Sequence, residues 1–291
     1  MREIQRSRLF GDARHLVLLA AILWGTTGTA QAFAPKTASS LAIGAIRLSL
    51  GGAILLILAL TKGSLSGGNW PRVATVIAAL GMAAYQPFFF AGVAKTGVAV
   101  GTMVTIGSAP IIAGLFGFIV RGERPGHRWV IATALAILGC VLLLTSRNRL
   151  SVDASGFVMA ICAGLSYATY AVANKKLLEN HPPEAAIAVI FCLSAILLIP
   201  LLVTADLSWL KEGRGLLVAI HLGLVATAIA YILFARGLAS LPVATAVTLS
   251  LAEPLTAALL GVVVLGERLT LLAFVGMFLL FAGLVILLRG R

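Results

Sequence analysis

The sequence predicts an all-α membrane protein, with ten transmembrane helices arranged as two inverted five-helix repeats around a central cavity. Three observations predict it. The 291 residues are 60% hydrophobic and only 11% charged, with a mean hydropathy of +1.06, which is more apolar surface than a soluble domain can hide. The apolar residues fall into ten runs, at 15–34, 38–61, 72–95, 98–120, 128–146, 154–176, 184–204, 214–235, 242–264 and 269–288. Each is close to the ~20 residues that cross the hydrocarbon core as a helix. The chain also repeats itself. Residues 90–124 lie over residues 234–268 without a gap, so that Phe90 meets Phe234, Pro110 meets Pro254 and Ala113 meets Ala257. Both copies close on the same tripeptide, Gly122-Glu123-Arg124 and Gly266-Glu267-Arg268.

Continuous apolar runs without alternation exclude barrel strands. The links between runs are too short to hold a soluble catalytic or nucleotide-binding domain. The net charge of +12 suits anionic lipid headgroups better than nucleic acid. Distributed over alternate links, fourteen Lys and Arg fall on the side holding both termini and seven on the other. That bias puts both termini in the cytoplasm. Cys140, Cys162 and Cys192 all lie within apolar runs; three thiols at lipid depth have neither a disulfide pattern nor metal-ligand spacing. The basic head, the run from Leu16 and Ala30-Gln31-Ala32 resemble a cleavable leader, but the run crosses by itself and nine more follow. It is expected to be an uncleaved first helix.

The halves are 15–146 and 154–288, joined through Arg147-Asn148-Arg149 and Asp153-Ala154-Ser155-Gly156. Five spans is an odd number, so tandem copies enter the membrane from opposite sides. In each Gly-Glu-Arg turn, Gly ends a helix, Glu suits the N-terminus of the next, and Arg snorkels to headgroups. Ala113-x-x-x-Gly117 and Ala257-x-x-x-Gly261 let backbones approach, and are expected where helices 4 and 9 meet.

Polar content sorts the helices in order. The first carries Trp24, Thr26, Thr27, Thr29 and Gln31, whereas the second is plain apart from Arg47 and Ser49. The third has Tyr85 and Gln86; the fourth has Thr102, Thr105 and Ser108. The fifth holds little beyond Thr133. In the sixth stand Ser166, Tyr167, Thr169, Tyr170 and Asn174, and in the seventh Ser194. The eighth has His221, Thr227 and Tyr231, the ninth Thr245, Thr248, Ser250 and Glu253, and the tenth only Thr270. Polar groups in spanning helices face the bundle interior or a wet cavity, so a cavity lined by helices 1, 3, 4, 6, 8 and 9 is expected. A single Ser or Thr can instead back-bond to its own turn.

Glu253 is the one acid deep in an apolar run, where a charge costs about 2.5–3.5 kcal/mol on insertion scales. Pro254 follows it, freeing a carbonyl and kinking the helix. The matching pair is Ala109-Pro110, so both copies keep the kink and one carries the acid. Glu253 either holds a substrate amine or a proton, or satisfies backbone at the kink as a protonated carboxyl. Arg47 reads as an interfacial anchor or a ligand contact, and His221 as an interfacial or titrating group. The chain has no G-x-x-x-x-G-K-[ST], so ATP does not drive it directly. H-E-x-x-H, paired Asp and G-x-S-x-G are missing too; no enzyme, cofactor or metal site is expected.

Two tandem five-helix halves closing on Gly-Glu-Arg, with Trp24-Gly25, Arg47 and Leu251-Ala252-Glu253-Pro254, resemble the EamA repeat of the ten-helix drug/metabolite transporter superfamily. The resemblance covers essentially the whole chain. The first copy departs from the pattern, with Ser108-Ala109-Pro110 where an acid often precedes Pro. Sugar-phosphate carriers of the superfamily use basic residues in the ninth helix, which has none here. Within the superfamily the chain looks most like YddG-type bacterial exporters of aromatic and other amino acids. That resemblance implies a multi-pass protein of the bacterial inner membrane, exporting amino acids with broad specificity by alternating access. Trp24, Tyr85, Tyr167, Tyr170 and Tyr231 would then hold the side chain, and Ser108, Ser250 and Glu253 the charged end. The alternatives are an exporter exchanging lipophilic cations for protons at Glu253, and a non-transporting membrane binding module. Expected partners are a small solute and the bilayer, with no nucleic acid; a monomer is the expected state, though no residue pattern reads it out.

Overall fold

Each of the ten apolar runs forms a helix. The computed structural model describes residues 2–66, 69–145, 153–266 and 268–289; the joint at 146–152 and Glu267 of the second Gly-Glu-Arg turn lie outside them. The helices are α1 (Arg2–Ala32), α2 (Ser40–Thr61), α3 (Arg72–Gly97), α4 (Val100–Arg121) and α5 (His127–Thr145), then α6 (Ala154–Leu177), α7 (Pro183–Leu197), α8 (Gly213–Ser240), α9 (Val243–Leu265) and α10 (Leu271–Arg289). Short helical turns at Ile199–Thr204 and Ser208–Lys211 follow α7. No strand occurs among the described residues. Seven helices (α2, α3, α4, α6, α8, α9 and α10) are long and apolar enough to cross a membrane; α5 and α7 are apolar but shorter, and α1, expected to cross by itself, is not among the seven.

Local chemistry sets the boundaries. Ser39 Oγ accepts from Ala42 N at 3.2 Å to start α2, and Asp153 Oδ1 accepts from Gly156 N at 2.8 Å to start α6. Gly122 and Gly266 end α4 and α9 at φ 66° and 68°, the left-handed region that favours glycine. Gly97, at φ 81° and ψ 159°, separates α3 from α4.

The packing partners exchange when the halves are exchanged. α1 packs on α8 and α9, and α6 packs on α3 and α4. The remaining main pairs, α2 with α7 and α5 with α10, map onto themselves. The tight small-residue crossing lies between α5 and α10, not at Gly117. A Cβ added to Gly276 would stand 2.6 Å from the Gly139 carbonyl oxygen and 2.6 Å from Leu143 N, and one on Gly283 would stand 2.6 Å from the Ala132 oxygen. Gly117 instead leaves room for the Glu123 carboxylate, 3.1 Å from its added Cβ. Two helices with almost no polar side chains can only be held by such backbone approach.

Helix ends gather at one end of the bundle. Lys62 after α2 and Arg236 in α8 both pair with Glu184 at the start of α7. Arg121 of α4 pairs with Glu179 at 2.9 Å. Arg14 Nη1 in α1 donates to the Leu288 carbonyl of α10 at 3.0 Å, and Gly237 of α8 packs on Ala13 and Val17, so both terminal helices share this end. At the other end, Lys95 of α3 donates to Ser155 Oγ at the start of α6 (2.8 Å).

Candidate functional site

A cavity lies between the halves. Its wall comes from α1 (Trp24, Thr27), α2 (Arg47), α3 (Tyr85) and α4 (Thr105, Ile106, Ala109), and from α6 (Tyr167), α8 (Tyr231) and α9 (Val247, Ser250, Leu251, Glu253). Among the described residues, none of α5, α7 or α10 lines it. Trp24, Tyr85, Tyr167, Tyr231, Ser250 and Glu253, singled out from sequence, stand together in this wall. Ser108 and Tyr170 do not. Ser108 Oγ back-bonds to the Thr105 carbonyl at 3.2 Å, beneath Gly164 of α6. Tyr170 lies a turn below Tyr167, fully buried, its hydroxyl accepting from Asn174 Nδ2 at 3.3 Å.

Aromatic rings form the base of the cavity. Trp24 lies 4.8 Å from Tyr231 and 5.3 Å from Phe234, and Tyr167 lies 6.2 Å from Phe234, centroid to centroid. Trp24 Nε1 and Thr27 Oγ1 are buried without a hydrogen-bond partner in the protein, and such donors are rarely left unused.

α9 is interrupted at the cavity. Regular helix stops at Leu249 and resumes at Ala252. Across the break Leu251 N donates to the Thr248 carbonyl at 3.1 Å and Glu253 N to the Ser250 carbonyl at 3.0 Å, in tight i→i+3 turns. Pro254 supplies no N–H for the Ser250 carbonyl, which accepts from Glu253 N instead. α4 runs through Pro110 without a break, so the two prolines do not act alike. Gly25 lets α1 meet this point: a Cβ there would stand 2.8 Å from the Glu253 carbonyl oxygen. Glu253 thus sits in the first turn of a half-helix, where the dipole favours an anion. Among the described residues its carboxyl has no hydrogen-bond partner.

Arg47 is the group that counting residues along α2 understated. It faces the cavity, not the interface, and its Nε donates to Thr227 Oγ1 at 3.3 Å. Thr227 is fully buried and belongs to a π-helical stretch of α8, His221–Ile229, a distortion frequent at functional sites. His221 Nε2 in the same stretch lies 2.8 Å from Thr26 Oγ1, half-buried between α8 and α1. Thr248 is structural: it accepts from Trp129 Nε1 at 3.0 Å and pairs with Thr133 at 3.1 Å, tying α5 to α9.

Burial differs between the two ends. Along α8 towards Arg236, Phe234, Ala235, Leu238 and Leu241 are buried; their copies Phe90 and Ala91 are half-buried, and Ala94 and Gly97 exposed. Leu177 at the end of α6 is 0% exposed, while Phe33 just beyond α1 is 47% exposed. The bundle is packed shut below the aromatic base, and at the other end the equivalent residues of α1 and α3 are more exposed although Trp209 is fully buried there.

A helical membrane bundle holding an amphipathic cavity between two copies of one motif belongs to the class that encloses a solute within the membrane. The model of the EamA-like transporter family matches twice, over residues 14–145 and 154–289, and the chain belongs to that family. It is 48% identical over 271 residues to the uncharacterized transporter YwfM of Bacillus subtilis, covering 93% of this chain and 92% of that one. It is 28% identical over 263 residues to the threonine/homoserine exporter RhtA of Escherichia coli, covering 88% and 83%. A crystal structure superposes with a TM-score of 0.82 at 22% identity, over 94% of this chain and 95% of the other, and so shares the fold.

Proposed function

We propose that this transporter exports amino acids, aromatic ones among them, across the bacterial inner membrane by alternating access. The observation that carries the reading is the cavity wall, where Arg47 and Glu253 stand with Trp24, Tyr85, Tyr167 and Tyr231. One basic and one acidic group suit a small zwitterion, and four aromatic rings suit an apolar side chain. The similarity to an exporter of threonine and homoserine supports the same class of cargo.

Residues 15–146 and 154–288 are the two repeats, inverted relative to one another, and they rock about the cavity. The exchangeable packing partners and the unequal burial of equivalent residues at the two ends support this. The Arg236 end is the cytoplasmic one, as the excess of Lys and Arg indicates. The site residues are Trp24, Tyr85, Tyr167, Tyr231, Ser250 and Glu253, with Ser108 and Tyr170 supporting them from behind; the break before Pro254 is the flexible point of α9. The working unit is a monomer.

The test is counterflow in proteoliposomes holding only the purified chain, over a panel of amino acids and cationic dyes. Amino-acid counterflow supports the reading. Movement of dyes alone, driven by a proton gradient, replaces it with lipophilic-cation exchange, and no movement of any solute with a non-transporting module.

A further inference from the structure

The charges lining the cavity are one Arg and one Glu, and no ion pair within 4.0 Å joins them. Among the described residues Arg47 hydrogen-bonds through its Nε, to Thr227, which leaves both terminal amino groups of the guanidinium for a ligand. Those two groups form the fork that matches a carboxylate. Glu253 has no hydrogen-bond partner among the described residues and offers its carboxyl to a donor. Burying one unpaired charge is expensive, whereas a ligand with both charges satisfies both walls at once.

We infer that Arg47 and Glu253 form a clamp for a zwitterion, Arg47 taking the α-carboxylate and Glu253 the α-ammonium, with the side chain among Trp24, Tyr85 and Tyr231. This rests on the amino-acid reading and deepens it: the clamp rejects molecules that carry only one of the two charges. A site built to pair a group rejects the analogue lacking it strongly, so single-charge analogues compete at least about a hundredfold more weakly.

The experiment is counterflow of labelled L-phenylalanine into proteoliposomes, competed by unlabelled L-phenylalanine, phenethylamine and 3-phenylpropanoate. Only the first competes well in the native protein. Arg47→Gln relaxes the rejection of phenethylamine and Glu253→Gln that of 3-phenylpropanoate. If both analogues compete in the native protein as well as the amino acid, the clamp is overturned while amino-acid transport stands. The clamp is equally overturned if both variants fall in rate without any change in analogue order. If no amino acid is moved, both readings fall together.

One end of the bundle is also fastened by a charged cluster. Glu123 Oε2 accepts from Val243 N at 2.8 Å, and its Oε1 accepts from Arg121 Nε at 3.2 Å and lies 3.8 Å from Lys175 Nζ. Lys175 donates in turn to the carbonyls of Leu238 (3.1 Å) and Leu241. The first Gly-Glu-Arg acid therefore serves the start of α9, not the next helix in sequence, and one cluster ties the ends of α4, α6, α8 and α9. Carried by the repeat offset, Glu123 corresponds to Glu267, but Lys175 corresponds to Gln31 and Arg121 to Leu265.

We propose that this cluster is a latch present at one end only, which holds the protein closed at the Lys175 end when no solute is bound. Spin labels at Arg124→Cys and Ser240→Cys, with the native cysteines replaced, read the separation of the α4 and α8 ends. The latched protein gives one short distance. Lys175→Gln shifts the distribution to longer distances, while Gln31→Lys, which supplies the missing cation at the other end, also lengthens it. Distances unchanged by both substitutions overturn the latch, and the second variant keeps the test open if the first does not fold.

Discussion

Arg47 and Thr227 are joined by a 3.3 Å hydrogen bond from Nε to Oγ1, which ties α2 to the π-helical stretch of α8 at the edge of the cavity. The hydroxyl fixes which way the guanidinium points. Hydrogen bonds to charged groups contribute about 1.5–3 kcal/mol, and ~1.4 kcal/mol is a factor of ten in rate. Thr227→Val, close in shape, is expected to lower amino-acid counterflow about tenfold or more while the protein elutes as a folded species. Unchanged counterflow would remove Thr227 from the site.

Pro254 carries a second prediction. Pro254→Ala restores an N–H for the Ser250 carbonyl and removes one obstacle to a continuous α9. One added backbone hydrogen bond contributes about 0.5–1.5 kcal/mol, so the variant is expected to melt at a slightly higher temperature. It is also expected to transport more slowly, because Ser250 and Glu253 lose their place at the cavity. Pro110→Ala, in a helix already continuous, is expected to leave counterflow within about twofold of native; the pair of assays separates the two prolines.

The α5–α10 crossing is a stability prediction. Gly276→Val forces side-chain atoms against the Gly139 carbonyl and Leu143 N, which stand 2.6 Å from an added Cβ. Overpacking of this kind costs about 1–3 kcal/mol, so thermal unfolding in detergent is expected well below the native temperature. Gly28 has nothing within 4 Å of an added Cβ, and Gly28→Ala is expected to hold or slightly raise the midpoint.

Glu179, in the link between α6 and α7, gives a pH prediction. The Lys176 ammonium at 2.6 Å, with Arg121 at 2.9 Å, holds its carboxyl below the usual glutamate range. A depressed folded value contributes stability above the unfolded pKa, and that stability is lost as pH falls through the folded one. The side chain is 37% exposed, so screening keeps the contribution within about 1 kcal/mol. Glu179→Gln is expected to lower the melting temperature slightly at pH 7 and to match the native protein near pH 3, as thermal scans across that range would show.

The helices were legible because apolar runs of spanning length have no other stable arrangement in lipid, and the repeat was legible because Pro and Gly-Glu-Arg recur at one spacing. Direction around each helix was not. Arg47 counted along α2 sits at snorkelling depth, yet its azimuth points it inward to Thr227. Ser108 and Tyr170 have the polar or aromatic character of a cavity wall, but one back-bonds to its own turn and the other packs a turn too deep. Thr248 resembled a lining residue until Trp129 and Thr133 were brought to it from a helix with almost no polar groups. Glu123 could not be assigned to Val243 from sequence, since 120 residues separate them.

Alternating access requires that one cavity open in turn to the two faces of the membrane. Thr27→Cys in a background lacking the native cysteines, labelled by an impermeant thiol reagent in oriented vesicles, measures it. Without solute the thiol is expected to react from the face opposite Lys175, and amino acid added at saturation shifts part of that reactivity to the other face. Equal reaction from both faces at once, or reaction from one face untouched by any amino acid, would contradict alternating access.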